Sequence, residues 1–220
     1  MHILFIAIIL ILSFTPYGTR VEQFLGKNFT LLSRIILFLA FASIGFLFTP
    51  DMLKDTGERA MDILWFLLFL PILAKVLSLP IARTLMRYRK EIGILMGMLA
   101  VVHSTLYLTD TYTTIFPWDI QFWIDNGRIS YLWVGMVATF FTFLLLITSN
   151  IASMKLLGKK WKILHRTVYI IILLTVLHVI LLKWLDMGNI LLLIIYFTGK
   201  WLEWSGKTIN ILPKKTNITP

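Results

Sequence analysis

Long apolar runs, each closed by a short break rich in charge, proline or glycine, follow one another along the whole chain. The runs are Ile3–Phe14, Leu31–Phe48, Ile63–Leu79, Ile92–Thr109, Ile129–Met154, Ile163–Leu182 and Ile190–Trp204. A helix rises about 1.5 Å per residue, so a hydrocarbon core of about 30 Å needs about 20 apolar residues. The last six runs approach or exceed that length. The first is short, ends at Pro16 and Gly18, and lacks the basic start of a signal peptide. The pattern predicts an all-α, polytopic membrane helix bundle. Six core transmembrane helices occupy residues 31–204. An extra N-terminal hydrophobic helix and a linker fill residues 1–30, and a basic tail covers residues 205–220.

Charge turns these spans into a topology. Hydrophobic residues make up 58% of the chain and charged ones only 15%, against about 25% charged in soluble domains. The net charge of +10 could suggest nucleic acid, but the basic residues form no water-facing domain, so nucleic acid is excluded as a partner and the lipid bilayer takes its place. Arg83, Arg87, Arg89 and Lys90 follow the third run, and Lys155, Lys159, Lys160 and Lys162 follow the fifth. Lys200, Lys207, Lys214 and Lys215 close the chain. These clusters alternate with breaks poorer in positive charge. Under the positive-inside rule they are cytoplasmic, which predicts a multi-pass protein of a bacterial inner membrane with its C-terminus in the cytoplasm. The segment "FPWDIQFW", residues 116–123, reads as an amphipathic stretch at the outer interface, where aromatic rings are favoured. The absence of cysteine excludes disulfides, thiolate chemistry, iron–sulfur clusters and covalently attached c-type haem.

Candidate chemistry rests on histidine. His103 lies inside the fourth run, and His165 and His178 belong to "KKWKILHRTVYIIILLTVLHVILLKW". Ionisable groups inside spans are rare and usually functional. His103 precedes Asp110 by seven residues, about 10 Å, and His178 precedes Lys183 by five, about 8 Å, so the two share one depth near the outer end. His165 lies about 20 Å lower on the same helix as His178. Two imidazoles at one depth on different helices suit the two axial positions of a haem iron. Zinc would want further ligands close by, and a proton relay would enlist buried carboxylates, whereas no acidic residue lies well inside a predicted span. On a straight helix, the spacing of thirteen leaves His165 and His178 about 140° apart. Arg89, Lys90, Lys162 and Arg166 could pair with haem propionates at the cytoplasmic face, as Arg128 and Lys183 could outside. Arg166 stands out because it adjoins His165. Gly93 and Gly97 make a small-residue pair suited to close helix packing or to giving a porphyrin room.

The stretches "RKEIGILMGMLAVVHSTLYL" and "GRISYLWVGMVATFFTFLLLITSNIASMKLLGKKWKILHRTVYIIILLTVLHVILLKW" resemble the ferric-reductase-like transmembrane superfamily. Within it they are most similar to the haem-binding membrane subunits of bacterial protein-methionine-sulfoxide reductase systems, the YedZ/MsrQ family. The resemblance runs from about Glu58 to Trp204. It rests on Arg89 to His103, Thr148-Ser149, Leu157-Gly158-Lys159, Trp161, Leu164-His165, Val168-Tyr169 and His178.

The resemblance implies a b-type cytochrome with one or two haems, and it carries over His103, His165 and His178 as iron ligands. It implies electrons arriving from FMN in a cytoplasmic flavin reductase or from the quinone pool. They would leave to a periplasmic molybdopterin-containing reductase that repairs oxidised methionine. On that reading the chain is an electron-transfer component with no terminal catalytic site of its own. Larger members carry a fourth histidine where this chain has Arg89 or Lys90, and their flavin and nicotinamide domain has no counterpart in these residues. A ferric or cupric reductase served by a separate flavoprotein is an alternative on the same fold. A haem-free transporter or scaffold is the alternative outside it.

Overall fold

The computed structural model describes residues 2–15, 17–48, 52–114, 129–183 and 187–209. Their regular structure is helical throughout. The helices are α1 (His2–Ser13), α2 (Tyr17–Lys27), α3 (Phe29–Ala42), α4 (Leu53–Lys75), α5 (Pro80–Leu85), α6 (Arg89–Thr114), α7 (Ile129–Ile147), α8 (Ile151–Leu157), α9 (Lys159–His165), α10 (Val168–Lys183) and α11 (Met187–Trp204). The six longer apolar runs fall mainly on α3, α4, α6, α7, α10 and α11. The "FPWDIQFW" segment lies outside the described residues, as do Arg128, Lys214 and Lys215.

Helix α4 is the centre of the molecule. From Ala60 to Val76 nearly every side chain is buried, including Trp65 and Leu70, which are fully covered. A helix apolar on all sides has no solvent face, so it is stable only when surrounded. It packs most extensively on α6, and its core joins Ile171, Ile172 and Val176 of α10 to Leu192 and Tyr196 of α11. The outer helices have the opposite character. Phe38, Trp133, Phe140, Ile170, Leu191 and Ile194 project outward, an apolar surface that water would not tolerate and lipid solvates. The stretches Phe29–Phe46 and Lys159–Leu182 are each long and apolar enough to cross a bilayer, and α7 with α8 makes a third when the bent pair counts as one span. The chain is an all-α, multi-pass membrane protein.

Three boundaries differ from the sequence pattern. Helix α4 begins ten residues before the apolar run, at Leu53, which brings Lys54, Glu58, Arg59 and Asp62 into a helix of the bundle. Asp62 is buried, so a carboxylate stands inside the bundle directly ahead of the apolar run. Its place just ahead of the apolar run had left it in a break. The run Ile129–Met154 splits after Ile147, where the chain turns by 97° into α8. The cause is polar self-bonding. The hydroxyls of Thr148 and Ser149 donate to Leu144 O and Leu145 O, and the Asn150 side chain caps α8 by accepting from Ser153 N at 2.8 Å. Gly18, read as part of a break, lies in the first turn of α2.

The short N-terminal helix α1 lays Ile9 against Leu70, Leu73 and Ala74 of α4 and Leu79 and Ala82 beyond it. It therefore completes the core at that end of α4. At the opposite end, α4 meets the segment of α6 that carries His103.

Candidate functional site

A cavity of about 540 Å³ opens between α4, α6, α7 and α10, a size within the range of about 300–1,000 Å³ usual for ligand and cofactor sites. His103 of α6 and His178 of α10 both line it. Helices α6 and α10 each pack on α7, so the two imidazoles reach the cavity from different walls. Much of the remaining lining is small or apolar, including Ala60, Ala100, Gly135, Ala138, Leu132 and Val179.

Each imidazole rests on a glycine of a neighbouring helix. A β-carbon at Gly57 of α4 would fall 2.7 Å from both Nδ1 and Cε1 of His103. One at Gly135 of α7 would fall 2.8 Å from Nδ1 and 2.9 Å from Cε1 of His178. Real β-carbons do not come that close, so these positions accept only glycine while the rings stay in place. The close approach on α7 has a chemical result: His178 Nδ1 lies 2.7 Å from the backbone oxygen of Tyr131. A carbonyl oxygen only accepts, so Nδ1 carries the proton and Nε2 keeps its lone pair. Histidines that ligate metals are oriented by this kind of bond.

Hydroxyls tie the walls together. Ser104 on α6 meets Thr139 on α7 at 2.6 Å, and Tyr107 meets Tyr131 at 2.7 Å. Asn189, which also lines the cavity, accepts from Trp65 Nε1 at 2.9 Å. Lys54, Glu58, Arg59 and Asp62 bring charge to the lining, all from α4.

His165 stands apart from this cavity. Its ring stacks on Trp161 with centroids 4.0 Å apart, and its Nε2 lies 3.4 Å from the hydroxyl of Thr148 at the far end of α7. The Thr148 hydroxyl itself donates to Leu144 O at 2.6 Å. Arg89 lies within electrostatic reach of His165, and Arg166 is exposed directly after it. Both His165 and His178 contact α7, although thirteen residues on a straight helix would set them about 140° apart. The joint between α9 and α10 explains this. Arg166, Thr167, Tyr169 and Ile170 each donate to the residue three before them. Bonds of this span wind the chain more tightly than α-helical ones, which shifts the two rings toward a common side.

Sequence reading missed Gly57 and Gly135, and it passed over Lys54, Glu58, Arg59 and Asp62. Of the glycines it singled out, Gly97 packs on Leu146 and Gly93 lies near Leu67. Neither lines the cavity, so that pair serves helix packing. The signal for Gly135 was its place four residues after Tyr131, where the missing β-carbon bares the carbonyl. Nothing in one sequence marks which imidazole would use it.

The residues fit an iron porphyrin by their chemistry. Two imidazoles face one largely apolar cavity, each ring seated where a β-carbon would block it, and one has its Nε2 freed by a backbone bond. Among the described residues, no group of three or more histidines, cysteines or carboxylates is placed to hold a bare metal ion.

The comparisons with known proteins agree with this architecture. Residues 56–176 match the family described as ferric reductase like transmembrane component. That is more than half of the chain, and the chain belongs to this family. It is 33% identical over 93 residues to the protein-methionine-sulfoxide reductase heme-binding subunit MsrQ of Rhizobium meliloti. It is 34% identical over 89 residues to the proteins of the same name from Brucella ovis and Brucella canis. The aligned stretch covers 42% of this chain and 42% of the Rhizobium relative, and 40% and 39% for the Brucella pair. No solved structure matches.

Proposed function

We propose that this chain is a haem b-binding transmembrane electron-transfer subunit, with His103 and His178 as the axial ligands of one iron. The observation that carries the reading is the shared cavity, with an imidazole from each of two helices and a glycine under each ring. Haem held there by His103 and His178 would supply one-electron chemistry. The chain's own part is to hold the rings. The Tyr131 carbonyl fixes the tautomer of His178, and the apolar walls limit water.

His165 enters as a ligand through the family resemblance, at a second site beside Arg89. Arg166, next to it, is placed to meet a propionate there. The name of these relatives supports delivery of electrons to a methionine-sulfoxide reductase. We assign the acceptor as a periplasmic molybdopterin-containing enzyme, and the donor as a cytoplasmic flavin reductase or the quinone pool. The C-terminus and the lysine-rich end that carries α8 and α9 would then face the cytoplasm of a bacterial inner membrane. The family description also favours a second reading on the same fold, a ferric reductase membrane subunit served by a separate flavoprotein.

A reduced-minus-oxidised spectrum of the purified protein with haem quantification tests the reading. A b-type α band is expected. His103→Ala and His178→Ala should each remove most of the haem, while His165→Ala leaves the band of the His103–His178 haem in place. A flat spectrum, or full haem loading in both of the first two variants, overturns the assignment.

A further inference from the structure

We propose that the ends of α4 and α11 form a binding site for the phosphate of an anionic phospholipid, built on Lys75 and Lys207. The site lies apart from the histidine cavity and does not depend on the haem reading. Another cavity, of about 180 Å³, is lined there by Lys75, Val76, Glu203, Gly206, Lys207 and Thr208. The pairing of Lys75 with Glu203 at 2.8 Å places the two helix ends at one level. The chain turns back beyond α11 at Gly206, whose φ is +68°, and Ile209 N donates to Val76 O at 2.6 Å. The last described residues thereby close the cavity against α4. Positive charge is in surplus. Three lysines, Lys75, Lys200 and Lys207, meet a single carboxylate here, Glu203, which already accepts from Lys75 and Lys200. Among the described residues Lys207 has no carboxylate partner. Its Nζ lies 5.3 Å from the centre of the Trp201 ring. Arg83 adds a further cation, its Nε donating to Ala74 O beside Lys75.

Lysines at a helix C-terminus often serve the helix itself, by bonding to its last carbonyls. Here other donors do that. Leu79 N, Arg83 Nε and Ile209 N reach the carbonyls of Leu73, Ala74 and Val76. Ser205 N, Lys207 N and Gly206 N reach those of Trp201, Leu202 and Glu203. The side chains of Lys75 and Lys207 are exposed and are left for an anion. Size and surroundings select its source. The cavity is smaller than the about 300–1,000 Å³ usual for whole small-molecule ligands, so it takes a phosphate and its neighbouring atoms rather than a nucleotide. Trp201, Trp204 and Ile209 stand exposed beside it, and indole rings on a membrane protein sit at the level of the headgroups. A free phosphate would leave that apolar rim in water. A phospholipid covers it with glycerol and acyl carbons while its phosphate meets the lysines, as basic pockets between membrane helices hold anionic headgroups. A zwitterionic headgroup would bring its own cation toward the lysines, so an anionic one is preferred.

The test is native mass spectrometry of the purified chain, offered equal amounts of phosphatidylglycerol and phosphatidylcholine in detergent micelles. The wild type should retain phosphatidylglycerol in preference to phosphatidylcholine. Each lysine beside an anionic headgroup is worth about fivefold in affinity. Lys207→Gln should therefore cut the preference about fivefold, and a Lys75→Gln, Lys207→Gln double variant more than about tenfold. Lys207 lies beyond the last helix, so the single variant still reads the site where the double one fails to fold. A Lys75→Arg, Lys207→Arg variant should keep the preference. A Lys159→Gln, Lys160→Gln variant removes the same charge from exposed positions of α9 and should bind as the wild type does. Equal retention of both lipids by the wild type, an unchanged preference in Lys207→Gln, or equal loss in the two glutamine double variants overturns the proposal. So does displacement of the lipid by millimolar inorganic phosphate, which would make this a site for a free anion.

Discussion

The imidazole of His178 lies so close to the backbone of Gly135 that a β-carbon there would stand 2.8 Å from Nδ1. The same contact lets Nδ1 reach Tyr131 O at 2.7 Å. Gly135→Ala should therefore push the ring off its seat, break the bond that sets its tautomer, and cut haem content several-fold. Gly97→Ala is the control: its new methyl would meet the Leu146 side chain at 3.1 Å, away from the cavity, so haem per folded protein should stay near wild type. Haem-to-protein ratios after size-exclusion chromatography decide it. Full loading with an unaltered spectrum in Gly135→Ala would show that His178 needs no such seat.

His103 stands on Gly57 in the same way, 2.7 Å from the position of an added β-carbon. Gly57→Ala replaces a poor helix former with the best, a gain of about 1 kcal/mol in an unobstructed helix. The two consequences pull apart: helix content should hold or rise while haem binding falls. Circular dichroism and the α-band amplitude, measured on one preparation, separate them. A variant more stable and fully loaded would remove Gly57 from the site.

How far the sequence discloses this arrangement depends on what each feature is made of. Spans are made of composition, so α3, α4, α6, α7, α10 and α11 can be read from apolar runs. The corner after Ile147 is made of three small polar side chains bonding to their own backbone, which interrupts no apolar pattern strongly enough to be seen. Asp62 was hidden because the apolar run begins only at Ile63, while the buried helix α4 starts ten residues before that run, at Leu53. The pairing of His103 with His178 was legible as equal depth. The seats beneath them were not, because a glycine that bears a ring and a glycine that packs on leucine look alike until the neighbouring helix is in place.

Glu203 joins two lysines of unlike surroundings. Lys200 Nζ donates to Oε2 at 2.6 Å, with side-chain exposures of 10% and 11%, and Lys75 Nζ donates to Oε1 at 2.8 Å from a side chain 63% exposed. Breaking a buried pair by removing one member costs about 3–5 kcal/mol, because the other charge is left buried. An exposed pair contributes about 0–1 kcal/mol. Glu203→Ala should therefore lower the unfolding midpoint in detergent several times more than Lys75→Ala. A Lys200→Met, Glu203→Met double variant should recover most of the loss. Equal effects from Glu203→Ala and Lys75→Ala would mean that Lys200 finds other compensation.

The corner that leads into His165 turns on Gly158, whose φ of +50° and ψ of −121° suit glycine and strain other residues. Trp161 then donates from Nε1 to Thr148 O at 2.9 Å and stacks on His165, so the indole bonds to the end of α7 and packs on the imidazole at once. Gly158→Ala should destabilise the corner by about 1–3 kcal/mol. Trp161→Phe keeps a stacking ring but loses one bond, about 1 kcal/mol. Lys159 and Lys160 lie in this corner and are exposed, so the rate of tryptic cleavage there reports its opening. Cleavage should be fastest for Gly158→Ala, intermediate for Trp161→Phe and slowest for wild type. The His103–His178 haem, in a cavity that these residues do not line, should keep its spectrum in all three. Cleavage at the wild-type rate in Gly158→Ala would mean that the turn takes a side chain without strain and that the indole alone holds the corner.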